Sequence, residues 1–184
     1  MRILGLSFGF HDAGACMLQD NTIEFAGHSE RYSKEKNDPW INHELINAAI
    51  EKGLPDVIVL HEKAWAKRMR NLYAGNWRAL REPTQRQWIK KFYPQLAGIP
   101  IKDYWHHETH AGAGALSSNF DECAVMVIDA IGEFDTASIW QWQDNKLKKL
   151  HSIKFPSSLG LFYSAVTHHV GLKPMEDEYI LMGM

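Results

Sequence analysis

The sequence predicts an α/β fold in which one structural unit occurs twice. Three features lead to this prediction: a strand-rich start, a buried parallel strand at Asp56–Leu60, and a second strand-rich stretch that begins at Glu122. The chain has 184 residues, of which 45% are hydrophobic and 23% charged, with a net charge of −2. This composition excludes a disordered chain, and the near-neutral charge argues against a nucleic-acid-binding protein.

The first hundred residues alternate between strand and helix signals. Strands are predicted at Arg2–Ser7, Ala15–Gln19, Thr22–Ala26, Asp56–Leu60 and Ile99–Tyr104. A helix is predicted to begin at Asp38–Pro39 and to end at Gly53. The uninterrupted β-branched run Asp56–Leu60 is typical of a parallel strand that is buried on both faces.

The strand pattern of the N-terminus recurs after residue 122. Gln143-Asp144-Asn145 repeats Gln19-Asp20-Asn21 at an offset of 124 residues (143 − 19), and the same offset places Val127–Ile128 on Ile3–Leu4. The alternative is two unrelated hairpin pairs. A helix over Leu159–His169 follows, and the chain then ends in the middle of an element. We therefore expect the chain to be part of a longer molecule.

The cysteines and the N-terminus predict a cytoplasmic protein without a membrane segment. Cys16 and Cys123 lie in apolar runs and form no Cys-x-x-Cys motif, as expected for free thiols in a reducing compartment. The first apolar run is interrupted by His11 and Asp12, unlike a signal peptide, and no run approaches 18 apolar residues.

The strongest candidate for chemistry is the histidine cluster Trp105–Ala111. On a helix, His106 and His110 are four residues apart and share one face, so they can hold one metal ion such as Zn²⁺ or Fe²⁺. His107 and His110, three apart, are an equally possible pair on spacing alone. The cluster does not fit the His-Glu-x-x-His motif of zinc proteases. The alternative is a polar helix start with surface histidines.

Two turns carry further candidate residues. Asp129, Gly132 and Glu133 follow a predicted strand, an arrangement that can present a carboxylate and backbone N–H groups to a nucleotide or metal. His11, next to Asp12 in the corresponding turn of the first unit, is a candidate general base. Ordinary hairpin turns remain the alternative for both. The basic, Trp-rich segment Lys63–Lys91 is interpreted as a solvated helical insert rather than a nucleic-acid site.

Taken together, these stretches resemble the O-carbamoyltransferases related to the enzymes that carbamoylate nodulation factors and the antibiotics tobramycin and cephamycin. The matching stretches run in family order along nearly the whole chain: Leu4–Leu6, Phe10–Ala13, Ser29–Lys34, His106–Ala111, Asp129–Thr136, Phe155–Ser164, Glu178–Tyr179 and Met182–Gly183. The resemblance implies the actin-like duplicated ATPase fold shared with sugar kinases and heat-shock ATPases. Residues about 1–120 would then form the first lobe and residues 121–184 the start of the second, so the fold would be incomplete.

The resemblance also implies a reaction and a metal. Carbamoyl phosphate and ATP would give a carbamoyl-adenylate, whose carbamoyl group passes to the hydroxyl of a small-molecule acceptor. In this family, and in the related hydrogenase-maturation and tRNA threonylcarbamoyl-forming proteins, the His-x-x-x-His histidines hold a metal, often iron. This assigns His106 and His110 as ligands of Fe²⁺ or another divalent ion.

The remaining site residues are carried over in the same way. His11 matches the family histidine of the transfer step, as the expected base, and Asp129, Gly132 and Glu133 match the turn near the nucleotide and metal. Ala130 stands where the family usually has Gly, and the family's third ligand, an Asp, would lie beyond Met182–Gly183. Two other hypotheses stay open: a nucleotide-binding ATPase or sugar-kinase relative without carbamoyl chemistry, and a non-catalytic module.

Overall fold

The first unit is built on a five-stranded mixed sheet. A computed structural model describes residues 1–184, which divide into two units, Met1–Tyr104 and Trp105–Met184. The strands of the first unit are β1 (Arg2–Ser7), β2 (Gly14–Gln19), β3 (Thr22–His28), β4 (Val57–Leu60) and β5 (Ile101–Asp103). Their order is β3-β2-β1-β4-β5, with β1 antiparallel to β2 and parallel to β4. The predicted strands and the parallel pairing of β4 are confirmed.

Helices cover this sheet and close its core. They are α1 (Glu30–Ser33), α2 (His43–Ala49), α3 (Ala64–Tyr73) and α4 (Gln85–Phe92), with 3₁₀ turns at Trp77–Leu80 and Pro94–Leu96. Alternate residues of the strands point inward, as the two-residue period of a strand requires, and pack with α2 and α4. The core contains Leu4, Leu6, Met17, Leu45, Ile46, Ile58, Leu60 and Ile89. The helical character predicted for Lys63–Lys91 is confirmed.

The start predicted for α2 at Asp38–Pro39 is wrong. The helix begins at His43, because Asn42 caps it: its Oδ1 accepts the Leu45 N–H at 2.8 Å. Asp38 instead accepts the Trp40 N–H at 2.9 Å and so closes a turn before the helix.

The second unit contains a three-stranded antiparallel sheet and three helices. The strands β6 (Cys123–Ile128), β7 (Asp135–Gln143) and β8 (Lys146–Lys154) lie in that order, and the helices are α5 (His106–Ser117), α6 (Leu159–His169) and α7 (Glu178–Gly183). Ala111 of α5 packs with Val127 and Trp140 in its small core. With its two sheets, the chain has the α/β class that the sequence predicts. None of its helices has the length and apolar character that crossing a bilayer requires.

Both units contain three consecutive antiparallel strands, but the predicted ungapped repeat is only partly correct. The Asp20-Asn21 and Asp144-Asn145 turns match, with all four residues at positive φ between 46° and 68°. The preceding hairpins differ. Leu18 pairs with Ile3, whereas Trp142, its counterpart at an offset of 124, pairs with Cys123 and not with Val127. The first two strands of the second unit therefore pair in a register that is shifted by four residues (127 − 123) from the one that the repeat predicts.

Candidate functional site

The histidine cluster forms the first turn of α5. Glu133, which is almost fully buried, accepts the His106 backbone N–H on its two carboxylate oxygens at 3.0 and 3.2 Å. The Glu108 carboxylate accepts the Trp105 N–H at 3.3 Å. Backbone N–H groups at a helix N-terminus lack partners within the helix, and carboxylates there also interact favourably with the helix dipole. These two acids explain why the helix starts at His106.

His106, His110 and Asp129 bring three metal-ligating atoms together. The Nε2 atoms of the two histidines are 3.0 Å apart, and Asp129 Oδ2 is 2.8 Å from Nε2 of His106. All three atoms lie within 4.8 Å of one another. Asp129 directly follows β6, and its N–H donates to Thr136 at 2.9 Å, which fixes the start of the turn.

The donor set fits a divalent metal ion. A ring nitrogen carries either a proton or a lone pair, so His106 Nε2 cannot donate to Asp129 and accept from His110 at the same time. A metal ion would accept lone pairs from all three atoms. Two imidazoles and one carboxylate form a donor set that suits Fe²⁺ and Zn²⁺.

The pKa values of Asp129 and His110 are shifted in the directions that favour the protonation states able to bind a metal. Burial opposes ionisation of Asp129, but the hydrogen bond and positive charge of His106, helped by the Ala130 N–H, lower its pKa to about 2. Partial desolvation of His110, together with the charge of His106, lowers the pKa of the His110 imidazole. A cavity of about 300 Å³ opens beside His110 and Asp129.

His107 has a different role from its two neighbours. It is buried, and its Nδ1 lies 2.7 Å from Ser138 Oγ, which accepts the Trp140 indole N–H at 2.8 Å. Burial lowers the pKa of the His107 imidazole. The ring points into the sheet rather than towards His110. The geometry therefore favours the His106–His110 pair over the His107–His110 pair, which spacing alone left open.

The other members of the predicted turn hold the site in shape. Gly132 lies where an added Cβ would be 3.0 Å from the His107 ring and 3.3 Å from His106 Cβ, and its N–H donates to Asp135 at 2.9 Å. Only a glycine allows the turn this close to α5. Glu133 caps α5, as described above.

The N-terminus of α6 abuts the same turn. Ser158 accepts the Leu161 N–H at 3.0 Å, and its hydroxyl donates to the Ala130 carbonyl at 2.7 Å. A Cβ added to Gly160 would lie 2.6 Å from two backbone atoms of Ala130. The segment Asp129–Ala130 is thus clamped between β6 and α6.

His11 lies in the first unit, on the loop between β1 and β2. Its Nδ1 is 2.9 Å from Asp12 Oδ2, and the ring is exposed. The loop is anchored at both ends, because Gly9 N–H donates to Pro39 at 2.7 Å and Ala13 N–H donates to Asp38 at 2.8 Å. The histidine is therefore presented to solvent from a fixed backbone, with one ring nitrogen engaged.

Sequence reasoning missed two features of this site. It did not predict that Asp129 reaches the two histidines, because that contact depends on how β6 lies beside α5. It also gave no role to Ser138, although the two-residue period of a strand places Ser138 on the same face as Trp140, which is buried.

Comparison with known proteins places these features in a family. The family described as carbamoyltransferase N-terminus matches residues 59–184. The uncharacterized protein sll1178 of Synechocystis sp. is 35% identical over 208 aligned residues, which cover 99% of this chain and 34% of that protein. The uncharacterized protein MJ1051 of Methanocaldococcus jannaschii is 26% identical over 182 residues, covering 99% of this chain and 32% of that protein.

The chain is also similar to a nodulation protein. Nodulation protein NolO of Bradyrhizobium diazoefficiens is 34% identical over 79 residues, which cover 43% of this chain and 14% of that protein. The chain spans about a third of the length of the first two relatives. Since the family match extends over well more than half of its residues, the chain belongs to the carbamoyltransferase family and matches the N-terminal region of that family.

Proposed function

We propose that this chain is the metal-binding part of an ATP-dependent O-carbamoyltransferase. The observation that carries the proposal is the convergence of His106, His110 and Asp129 in a chain of the carbamoyltransferase family. The co-substrates would be ATP and carbamoyl phosphate, and the acceptor would be a small molecule with a hydroxyl group. The three consecutive antiparallel strands β1–β3 and β6–β8 support an actin-like duplicated fold, with lobes at about 1–120 and 121–184.

The transfer step needs a base for the acceptor hydroxyl, and His11 is our candidate. Its Nδ1 faces Asp12, so Nε2 is the nitrogen left to take the proton, while the Asp12 carboxylate orients the ring and stabilises the imidazolium that forms. The acceptor oxygen attacks the carbamoyl carbon of the carbamoyl-adenylate, and its proton passes to His11. The bond from that carbon to the phosphate oxygen breaks, and AMP leaves with the electron pair.

His106, His110 and Asp129 would hold the metal, with Fe²⁺ as our first choice. A metal bound there supplies Lewis-acid polarisation and stabilises developing negative charge. His107 and Glu133 keep the two ligand histidines in place, the first by its bond to Ser138 and the second by capping α5. Asp129, Gly132 and Glu133 belong to a turn that we assign to the surroundings of the nucleotide and metal.

Metal analysis tests the ligand assignment. The double variant His106→Ala/His110→Ala should lose the metal and, in the full-length protein that carries this chain, carbamoyl transfer. The matched control is His168→Ala/His169→Ala, which removes two exposed histidines of α6 and should keep both. Unchanged metal stoichiometry in the first variant would refute the ligand assignment.

ATP turnover separates carbamoyl transfer from the alternative of an ATPase or sugar-kinase relative. Turnover should depend on carbamoyl phosphate, and a carbamoylated product should accumulate with AMP. ATP hydrolysis at the same rate with and without carbamoyl phosphate would favour the alternative.

A further inference from the structure

The polar side of helix α3 faces the protein, and its apolar side faces solvent. Lys67 and Arg68 are half-buried and line a cavity of the first unit. Trp65, Met69 and Tyr73, spaced four residues apart along the other side, are 60%, 55% and 74% exposed. A surface helix of a globular protein normally buries its apolar side and exposes its polar side. The inverted arrangement of α3 therefore indicates an interaction surface.

The 3₁₀ turn after α3 adds to the exposed apolar side chains. The turn packs against α3, and its residues Trp77 and Leu80 are 70% and 53% exposed. Residues three apart in a 3₁₀ helix lie on the same side, whereas Ala79 between them is buried and anchors the turn. We call the five exposed side chains together the apolar surface: Trp65, Met69, Tyr73, Trp77 and Leu80.

The segment that carries the apolar surface is strongly basic. The range Lys63–Lys91 contains 9 bases and one acid, a net charge of +8 (9 − 1), whereas the whole chain has a net charge of −2. Some of these bases are paired, as Lys67 is with Glu62 at 2.8 Å. Arg78 and Arg81, within and directly after the 3₁₀ turn, are exposed and form no ion pair. Unneutralised positive charge thus lies next to Trp77 and Leu80 in the chain.

We propose that the apolar surface docks on an anionic lipid surface, with the protein lying on the membrane rather than crossing it. Trp and Tyr rings favour the level of the lipid headgroups, and aliphatic side chains such as Leu80 are stable at the acyl boundary. Arg78 and Arg81 are attracted by the negative surface potential of anionic lipids. Nucleic acid fits less well, because Met69 and Leu80 have no ring on which a base can stack. This inference goes beyond the proposed function and does not depend on it.

Vesicle sedimentation with the full-length protein that carries this chain tests the proposal. The probes are vesicles of phosphatidylcholine alone and vesicles of phosphatidylcholine mixed with phosphatidylglycerol. The protein should sediment with the anionic vesicles and not with the neutral ones. High salt should weaken the binding, because it screens the attraction between the arginines and the lipid headgroups.

Two variants separate the apolar and the charged contributions to binding. Trp77→Ala/Leu80→Ala should weaken binding to the anionic vesicles by at least about tenfold, because two apolar side chains no longer enter the lipid interface. Arg78→Gln/Arg81→Gln should weaken it by about thirtyfold, the effect of two cations near an anionic membrane. All four side chains are exposed, so both variants should fold, and circular dichroism checks this.

Leu116→Ala/Phe120→Ala is the matched control. These two apolar side chains are 71% and 67% exposed, like those of the apolar surface, but they line a cavity together with the acids Asp121 and Glu122. An anionic lipid surface is repelled by such surroundings, so binding of this variant to the vesicles should be unchanged.

Three results would overturn the proposal. The first is a wild-type protein that does not bind the anionic vesicles. The second is binding that is the same in wild type, Trp77→Ala/Leu80→Ala and Arg78→Gln/Arg81→Gln, or a loss in the control as large as in the first variant. The third is an electrophoretic mobility shift of mixed-sequence RNA that requires the two arginines but not Trp77 and Leu80, which would make the segment a nucleic-acid site.

Discussion

The contact between Gly160 and Ala130 gives the most direct test of how the second unit positions its proposed metal ligands. In Gly160→Ala the new Cβ would lie 2.6 Å from the Cα and N of Ala130 and 2.7 Å from the Asp129 carbonyl oxygen. These are backbone atoms and cannot rotate away. Restoring an ordinary contact of about 3.4 Å requires α6 and the turn to separate by roughly 0.8 Å, and such overpacking costs about 1–3 kcal/mol.

The separation would also strain the hydrogen bonds that cap α6. Ser158 Oγ accepts the Leu161 N–H and so caps α6, while its hydroxyl donates to the Ala130 carbonyl, and loss of such a cap costs about 1 kcal/mol. Replacing glycine by alanine inside a helix raises the free energy of unfolding by up to about 1 kcal/mol, because alanine has the higher helix propensity. The net expectation is a loss of about 1–3 kcal/mol in the free energy of unfolding.

Gly112→Ala is the matched control. Gly112 lies within α5, and an added Cβ meets no atom within 4 Å, so only the propensity gain of about 0.5–1 kcal/mol remains. Urea denaturation followed by circular dichroism measures both free energies. Chelator competition should also show weaker metal binding in Gly160→Ala, because the shift moves Asp129. A Gly160→Ala protein as stable as Gly112→Ala would refute the packing argument.

Three further predictions follow from the same geometry. Asp129→Asn should lower metal affinity by at least about tenfold, because a neutral amide replaces the anionic ligand, and chelator competition measures the loss. Because the pKa of His110 is lowered, protons compete with the metal for this imidazole less than they would at an ordinary histidine. Metal affinity should therefore persist as the pH falls below about 6.5 and decrease only at lower pH. Calorimetric titration with the metal at several pH values tests this. Tyr93 donates to the Ile41 carbonyl at 2.6 Å, and burial, with nearby negative charge, raises its pKa to about 12. Because the unfolded chain loses this proton first, stability should fall by up to about 2.7 kcal/mol between pH 10 and 12, and Tyr93→Phe should remove that slope in alkaline denaturation curves.

Short-range signals explain why much of the fold could be predicted. The two Asp-Asn turns and the alternation of apolar residues are local features, and they predicted the first three strands of each unit. The start of α2 was mispredicted because two acceptable capping residues lie four positions apart. Asp38 is used for a turn, and Asn42 caps the helix. Which of these two residues caps α2 depends on the path of the chain between them.

The uninterrupted apolar run of β6 shows another limit of sequence reasoning. Such a run is typical of a strand buried on both faces, yet Met126 and Ile128 are 66% and 54% exposed here, while Val127 is buried. Helical spacing predicted the pair His106 and His110, but the choice against His107 depends on the orientation of α5 on the sheet. Tertiary contacts of this kind produce no periodic pattern of residues, so they cannot be predicted from the sequence in the way that helices and strands can.

Glu133, predicted to lie in the turn near the nucleotide and metal, offers a test of whether its main role is to cap α5. Both of its carboxylate oxygens face the His106 N–H, so the structure gives it a capping role that needs an oxygen but not a full charge. Glu133→Gln keeps an oxygen acceptor of nearly the same shape and loses only the charge–dipole interaction, worth about 0.3–1 kcal/mol. We therefore expect thermal unfolding to show that small loss, with metal affinity changed by less than about threefold. A tenfold loss of metal or ATP affinity in a variant that is otherwise folded would contradict the capping role. It would show instead that the charge of Glu133 acts directly on the ion or the nucleotide.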